Sequence, residues 1–177
     1  MILRAFILAA LFLPTVAAVE IAQPVAGARV YFTPGDDAQA AVVAEIGKAK
    51  ATVLVQTYSF TNVPIAKALA EAFARGVAVR VISDKENETS KYTALDFVAG
   101  KGVEVLVDEK VKIAHNKVMV IDGQVVLTGS FNWTKAAQES NAENLLVLPN
   151  AELAAVYAAN WEARKAVSRP YVRRGDR

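Results

Sequence analysis

Cysteine is absent from this 177-residue sequence, and histidine occurs once, as His115. Without cysteine the chain has no disulfide framework and no thiolate nucleophile, so packing of apolar side chains must stabilise the fold. A lone histidine leaves only carboxylates to complete a zinc site, which is a poor ligand set for that metal. We therefore expect no metal site and no cofactor.

A strong charge of one sign is also missing. The formal net charge is +2, which is too small to steer the whole molecule towards a polyanion. Any polyanion site must therefore be local. The most basic stretch is the C-terminal WEARKAVSRPYVRRGDR, residues 161–177, and two interpretations stay open: a solvated, frayed tail or a phosphate-binding patch.

The first residues, MILRAFILAALFLPTVAA, have the pattern of a secretory signal peptide. A basic residue precedes an apolar run, and small residues follow as far as Ala18. The alternative is a membrane anchor, but the run is shorter than the ~20 residues that a spanning helix needs. We expect residues 1–18 to be cleaved, with residue 22 as the latest cleavage position. Residues 23–177 then fit a single domain.

Strand and helix patterns alternate along the first two thirds of the chain. Strands are predicted at ARVYF, TVLVQTYSF, VAVRVISD and VEVLVDE, with helices at TPGDDAQAAVVAEIGKAK, VPIAKALAEAFARG and NETSKYTALDFVAGKG. This alternation is typical of βαβ units, so the fold class is predicted to be α/β with a mixed, largely parallel β-sheet. A further strand, AENLLVLP, precedes a last helix that Asn150 can cap.

Residues 114–133, AHNKVMVIDGQVVLTGSFNW, predict a β-hairpin. If Asp122 and Gly123 form a two-residue turn, counting back along both strands gives the register. It places five polar side chains on one face: His115, Lys117, Thr128, Ser130 and Asn132. A cation, an imidazole, hydroxyls and an amide suit a tetrahedral phosphate, which points to phosphate-ester chemistry. The alternative is the polar face of an exposed hairpin. The aromatic Phe131 and Trp133 flank this face and could stack on a base, but a position in the core or in an interface is favoured.

The order of residues in this hairpin resembles a known motif. His115, Lys117 and Asp122 have the spacing HxKxxxxD, and Gly129, Ser130 and Asn132 follow as GSxN. This combination marks the phospholipase D superfamily. The whole sequence, with its predicted export signal and single motif, is similar to the small bacterial periplasmic endonucleases of that superfamily, the Nuc type.

The resemblance implies a phospholipase D-like sandwich, in which helices flank both faces of the sheet and the active-site residues lie on a hairpin. It also implies a metal-independent, sequence-nonspecific endonuclease that cleaves DNA, with RNA as a further candidate substrate, through a phosphohistidine. That mechanism needs two histidines, and this chain has one. A homodimer with its active site on the two-fold axis would supply both. The expected location is the periplasm, without stable membrane association after signal cleavage.

The candidate site residues take different roles under this resemblance. The catalytic set is His115, Lys117, Asn132 and Glu143, and the phosphate-binding set is Lys117, Ser130 and Asn132. Asp122 lies at the turn with opposite parity to His115, so its carboxylate is predicted to be structural, as is Gly129. Glu143 is expected to orient the imidazole through its second nitrogen. The alternative for Glu143 is a surface charge at a strand edge.

Two other functions stay open. The same histidine chemistry serves phospholipase D or cardiolipin-type lipid phosphodiesterases, although the mature sequence has no clear amphipathic membrane-binding helix. A non-catalytic nucleic-acid-binding dimer is the other alternative, and the intact motif argues against it.

Overall fold

The structure is a computed structural model that describes residues 20–176. The predicted signal peptide lies outside these residues. Eight strands occur in the described part: β1 (Arg29–Thr33), β2 (Thr52–Thr57), β3 (Ala78–Asp84), β4 (Glu104–Asp108), β5 (Val118–Ile121), β6 (Val125–Gly129), β7 (Glu143–Pro149) and β8 (Arg169–Pro170). The α-helices are α1 (Ala38–Lys48), α2 (Val63–Ala74), α3 (Lys85–Thr89), α4 (Leu95–Gly100), α5 (Lys135–Glu139) and α6 (Ala151–Lys165).

The strands form one mixed sheet in the order β1-β7-β6-β5-β2-β3-β4-β8, which confirms the α/β class. Only the β2–β3 and β3–β4 pairs are parallel. The other neighbouring pairs of described strands are antiparallel, so the parallel share is smaller than expected. The reason lies in the connections: helices link β2, β3 and β4, whereas β5, β6 and β7 follow one another without the long helical crossover that parallel pairing requires.

Helices cover both faces of the sheet. On one face, α1, α2 and α4 bury Val42, Ile46, Leu69 and Val98 against alternate strand residues, among them Val53, Val79 and Leu127. On the other face, α6 packs its Ala154 on Val118, Val120 and Val126. Trp161 of α6 is 1% exposed, and its Nε1 donates to the Val55 carbonyl at 3.0 Å. Burying both faces explains why these strands are nearly continuous runs of β-branched residues.

Local signals account for most of the helix boundaries. Asn150 caps α6 as predicted, since its Oδ1 accepts from the Leu153 amide at 2.7 Å. The single helix predicted over NETSKYTALDFVAGKG is wrong, because the segment forms the end of α3, a loop and α4. The cause is local polar bonding: the N-cap Asp84 accepts from Glu86 N at 2.8 Å where α3 begins, and Thr93 Oγ1, one residue before the N-cap Ala94, accepts from Leu95 N at 3.2 Å where α4 begins.

The C-terminal segment is neither frayed nor a free phosphate-binding patch. Arg164 donates from Nε and Nη2 to the buried Asp108, at 2.7 and 2.8 Å. Arg169 forms ion pairs with Glu88 at 2.7 Å and Glu109 at 2.8 Å. Carboxylates already neutralise these arginines. The positive charge of the segment was overestimated from the sequence, because the basic residues were counted without their partners. Within residues 20–176, no helix is long and apolar enough to cross a membrane.

Candidate active site

The candidate site lies at one edge of the sheet. Parallel β2, β3 and β4 end there, β6 ends there, and β5 and β7 begin there. A cavity of about 490 Å³ opens at this edge. Its lining residues are His115, Asn116, Lys117, Val118, Thr128, Gly129, Ser130, Asn132, Glu143 and Tyr157. Six of the seven predicted site residues line this cavity, and Asp122 does not. The predicted hairpin register is not what brings the six together.

The predicted hairpin register is wrong by one residue. Val118, not Lys117, lies opposite Thr128, and Ile121 pairs with Val125. Gln124 N does close the turn on the Ile121 carbonyl at 2.9 Å, but the carbonyl of Gln124 accepts from Asn150 N at 2.9 Å. Gln124 therefore bonds to the residue that caps α6 and does not pair with β5. The loop between β5 and β6 has three residues instead of two.

Irregular backbone at the strand ends brings the polar groups together. Regular pairing in β5 begins only at Val118, so His115 and Lys117 precede the strand. Gly129 has φ 147°, and a Cβ there would lie 2.3 Å from the Asn144 carbonyl oxygen. That same oxygen accepts from both Ser130 N and Phe131 N at 3.1 Å. Glycine is therefore required by a close approach of two strands of this chain.

His115 and Lys117 are in direct contact. Lys117 Nζ lies 2.9 Å from His115 Nδ1 and donates to the His115 carbonyl at 2.7 Å. The imidazole is exposed, whereas Lys117 is only 6% exposed. Burial lowers the pKa of the Lys117 ammonium below its ordinary value, and the negative charge of Glu143 opposes that shift. The site thus holds one accessible ring beside one desolvated cation.

Ser130 and Asn132 complete the polar wall. Ser130 Oγ accepts from Asn144 N at 3.0 Å, which leaves its hydroxyl hydrogen available to a ligand. The buried Oδ1 of Asn132 has no hydrogen-bond partner within the described part of the chain. A buried amide end without a partner is costly, and rotation about χ2 lets it present either oxygen or nitrogen. The Asn132 amide therefore has an unused polar atom beside the cavity.

Glu143 lines the same cavity without contacting the imidazole. Its Oε1 accepts from Asn141 Nδ2 at 3.0 Å, and among residues 20–176 no hydrogen bond joins it to His115. The expected carboxylate–histidine pair is thus absent from this single chain, because Lys117 occupies Nδ1 instead. Glu143 acts on the site through its charge near Lys117.

Asp122 lies at the far end of β5 from His115. Its Oδ1 accepts from Ala51 N and Thr52 N, both at 2.8 Å, and Oδ2 accepts from Lys50 N at 2.9 Å. Burial alone would raise the pKa of this carboxyl, but the three backbone donors outweigh it and the pKa is lowered. The geometry is that of a carboxylate that fastens the hairpin turn to the loop before β2.

Two residues at this edge were missed from the sequence. Tyr58, just after β2, stacks on His115, and Asp84 at the end of β3 accepts from Ala114 N at 2.5 Å. Ligand sites often lie at the carboxyl ends of parallel strands, and this rule could have pointed to both residues. The predicted strand TVLVQTYSF extended beyond Tyr58, so Tyr58 was not recognised as lying at a strand end. Phe131 and Trp133 are 0% exposed, which confirms that they belong to the core.

The described residues contain no candidate metal site. In residues 20–176, no group of three or more His, Asp or Glu side chains lies close enough together to hold a metal ion. What the site does offer is an accessible imidazole, a buried ammonium, a hydroxyl and an amide around one cavity. On an open α/β sheet, these groups suit a protein that acts on phosphate esters.

Comparison with known proteins gives the family. The family described as "Cardiolipin synthase, PLD-like domain" matches residues 42–164. A phospholipase D of Rickettsia conorii is 40% identical over 135 residues, covering 76% of this chain and 68% of that protein. The crystal structure of Nuc from Salmonella typhimurium, a phospholipase D family member, matches with a TM-score of 0.79 and 35% identity, covering 81% of this chain and 97% of that one.

NucT from Helicobacter pylori is a second similar structure, with a TM-score of 0.76 and 26% identity over 81% of this chain and 98% of that chain. The chain therefore belongs to the phospholipase D superfamily, and it is a phosphodiesterase that hydrolyses ester bonds. The resemblance drawn from the motif is confirmed.

Proposed function

We propose that this phosphodiesterase is a sequence-nonspecific endonuclease that cleaves DNA, with RNA as a further substrate. The observation that carries the proposal is the lining of the site, in which Val118 is the single aliphatic side chain among polar and aromatic ones. Such a surface suits the sugar–phosphate backbone better than an acyl chain. Contacts confined to phosphate carry no sequence information, which is why we expect no sequence preference.

The contact between His115 and Lys117 defines a resting state. A protonated ammonium can only donate, so Nδ1 of His115 accepts and the ring proton is on Nε2. In that tautomer Nε2 cannot attack phosphorus. A bound phosphate attracts Lys117 and releases Nδ1, which can then donate to the carboxylate of Glu143 and leave the lone pair on Nε2.

The proposed reaction has two displacements. Nε2 of one His115 attacks phosphorus and forms an N–P bond while the P–O bond to the leaving alcohol breaks. A second, protonated His115 gives that alcohol its proton and then takes a proton from water. The water oxygen attacks phosphorus, the N–P bond breaks, and both imidazoles are restored. Lys117 and Asn132 hold the non-bridging oxygens as their charge shifts.

The second imidazole in this scheme comes from a second copy of the chain. An apolar surface beside the site supports such an assembly: Val30 and Phe32 of β1 are 48% and 60% exposed. They lie in register with Leu146 and Asn144 of β7, on the face where α6 packs on β2, β4, β5 and β6. A two-fold axis beside this patch would bury it and bring the two His115 side chains together.

The first experiment is plasmid digestion by the purified protein in excess EDTA. We expect cleavage to persist, because Lys117 and Asn132 supply the charge stabilisation that Mg²⁺ gives other nucleases. His115→Ala should abolish cleavage, while Lys112→Ala, an exposed change in the same loop, should leave it intact. Loss of cleavage in EDTA that returns with added Mg²⁺ would refute the mechanism. Wild-type protein that binds DNA without cleaving it, with binding unchanged in His115→Ala, would point to the non-catalytic nucleic-acid-binding dimer.

Subunit mixing tests the shared site. If wild-type and His115→Ala chains exchange freely at equal amounts, about one quarter of the dimers carry both histidines. Activity should then fall to about that fraction of the starting wild-type rate per dimer, whereas independent sites would give about half. Phe32→Ser should shift the protein to monomer in light scattering and reduce activity, while a monomeric wild-type enzyme with full activity would rule the shared site out.

A lipid phosphodiesterase is the second candidate, because the matching family description and the Rickettsia relative carry lipid-directed names. Cardiolipin liposomes run beside plasmid DNA separate the two: release of a phosphatidyl product without plasmid nicking would replace our first proposal. We also propose a periplasmic location after cleavage near residue 18, from the signal pattern. Cell fractionation and N-terminal sequencing of the exported protein test it, and a cytosolic protein that retains Met1 would contradict it.

A further inference from the structure

Tyr58 contacts both proposed catalytic side chains from the carboxyl end of β2. The centroids of its ring and the His115 ring are 4.5 Å apart, with 48° between the planes. Lys117 Nζ lies 5.0 Å from the centroid of the same tyrosine ring. That distance is within the range of a cation–π contact. One aromatic ring therefore supports the imidazole and the ammonium together.

Tyr58 is itself anchored from the junction of β3 and α3. Its hydroxyl donates to Glu86 Oε2 at 3.0 Å, and the Glu86 amide donates to Asp84 Oδ1 at 2.8 Å. Asp84 is 0% exposed and its Oδ2 accepts from Ala114 N, the residue before His115, at 2.5 Å. The end of β3 thus holds the His115 loop through its backbone and, through Tyr58, the face of the imidazole ring.

We propose that Tyr58, held in place by Glu86, is a positioning residue that orients His115 and Lys117 for the reaction. This inference rests on the proposed role of those two side chains in phosphodiester cleavage. The His115 imidazole is exposed, and without the Tyr58 ring its contact with Lys117 would have to hold it alone, so that other rotamers become accessible. Fixing it before substrate binds removes an entropic cost from the attack on phosphorus.

The aromatic ring of Tyr58, not its hydroxyl, carries this role. The hydrogen bond and charge of Glu86 raise the pKa of the Tyr58 phenol above its ordinary value, so the hydroxyl keeps its proton at neutral pH. That proton is already donated to Glu86. Tyr58 is also not among the residues that line the cavity, so its loss should change how the catalytic pair is held and leave the substrate-binding surface intact.

The test compares Tyr58→Leu, which removes the ring, with Tyr58→Phe, which keeps it. Tyr92→Leu is the matched control, because Tyr92 is 73% exposed and lies in the loop before α4. Each variant is assayed for kcat and KM on plasmid DNA and on the chromogenic diester bis(p-nitrophenyl) phosphate. Because the chain has one histidine, the His115 ring protons give isolated NMR signals that report the position of the Tyr58 ring.

We expect Tyr58→Leu to lower kcat by about 10-fold to 100-fold with little change in KM, and to move the His115 ring signals. Tyr58→Phe should retain most of kcat and the wild-type signals, and Tyr92→Leu should match wild type in both. Should Tyr58→Leu fail to fold, Glu86→Ala removes only the exposed anchor and should give a smaller loss of kcat with a shifted His115 signal.

Unchanged kcat in folded Tyr58→Leu, or unchanged His115 signals, would overturn the inference. An equal loss of kcat in Tyr58→Phe would also overturn it, since the hydroxyl would then be the active part. The chromogenic diester separates this result from the endonuclease proposal. A wild-type protein that cleaves this diester and leaves plasmid intact would refute the endonuclease, while the same kcat comparison still decides the role of Tyr58.

Discussion

Replacing Asp122 by alanine should cost stability without impairing the chemistry. The carboxylate accepts three backbone hydrogen bonds from residues 50–52 and so fastens the hairpin turn to the loop that leads into β2. Lys117 and Asp122 are separated by the length of β5, about 16 Å at the usual rise of a strand. At that distance Asp122 cannot touch a phosphate that is bound at His115 and Lys117.

The magnitude follows from the three bonds. The bond to Thr52 N is partly buried and accepts on a charged oxygen, which is worth about 1.5–3 kcal/mol. The two exposed bonds contribute about 0.5–1 kcal/mol each, because water replaces them more easily. Asp122→Ala should therefore lower the free energy of unfolding by about 2.5–5 kcal/mol, which corresponds to a fall in Tm of roughly 5–20 °C for a chain of this size.

The lowered pKa of Asp122 gives this stabilisation a pH dependence. It is fully present above the pKa that the carboxyl has in the unfolded chain, and it is lost as pH falls through the lower pKa of the folded state. The difference in stability between wild type and Asp122→Ala should shrink in that acid range. Urea unfolding from pH 7 down to pH 3 measures the difference directly.

Asp36→Ala is the control, because Asp36 is an exposed carboxylate that accepts one backbone bond, from Phe32 N at 2.8 Å. We expect it to cost no more than about 1 kcal/mol. Below the Tm of each variant, kcat of Asp122→Ala should equal that of wild type. Wild-type stability combined with a loss of kcat in Asp122→Ala would refute this account and place Asp122 in the catalytic step.

Three further outcomes are expected. Gly129→Ala should lose at least about 2 kcal/mol in urea unfolding and most of its activity, because the new Cβ meets the Asn144 carbonyl; Gly47→Ala, where nothing lies within 4 Å, should be neutral or stabilising. In the pH–rate profile, kcat should fall as the pH rises, and the fall should begin below the ordinary pKa of lysine. The reason is that burial lowers the pKa of Lys117 and only its charged form binds phosphate. A flat profile up to pH 10.5, the ordinary pKa of lysine, would contradict this. Arg164→Ala should cost about 3–5 kcal/mol of stability by leaving a buried carboxylate unpaired, with kcat retained below the Tm.

The secondary structure that could be predicted from the sequence is the part governed by local rules. Proline at the start of α2, the Asn150 cap of α6 and the runs of β-branched residues in β2, β3 and β4 each determine one element by backbone geometry and side-chain shape. The failures had two causes. Local polar groups at Asp84 and Thr93 divide the third predicted helix, and a contact distant in sequence draws Gln124 from its strand pair to Asn150.

The residues of the site followed the same division. The spacing of His115, Lys117, Ser130 and Asn132 suggests phosphate-ester chemistry, and the resemblance of this order to the HxKxxxxD and GSxN motif identifies the family. Their arrangement does not follow from spacing, since the counted register placed Lys117 opposite Thr128 and the structure places Val118 there. Glu143 was expected on the imidazole, and only the folded chain places Lys117 on that nitrogen instead.

The sequence alone therefore determined the α/β class and the family motif, because composition and short-range spacing are properties of the chain itself. Tertiary structure decided which groups meet. It brought the ends of β2 and β3 to His115, so that Tyr58 and Asp84 support a site whose motif lies more than 25 residues away from them along the chain. It also neutralised the basic C-terminal segment with carboxylates from other elements. Such contacts depend on how strands are ordered in the sheet, which no local pattern encodes.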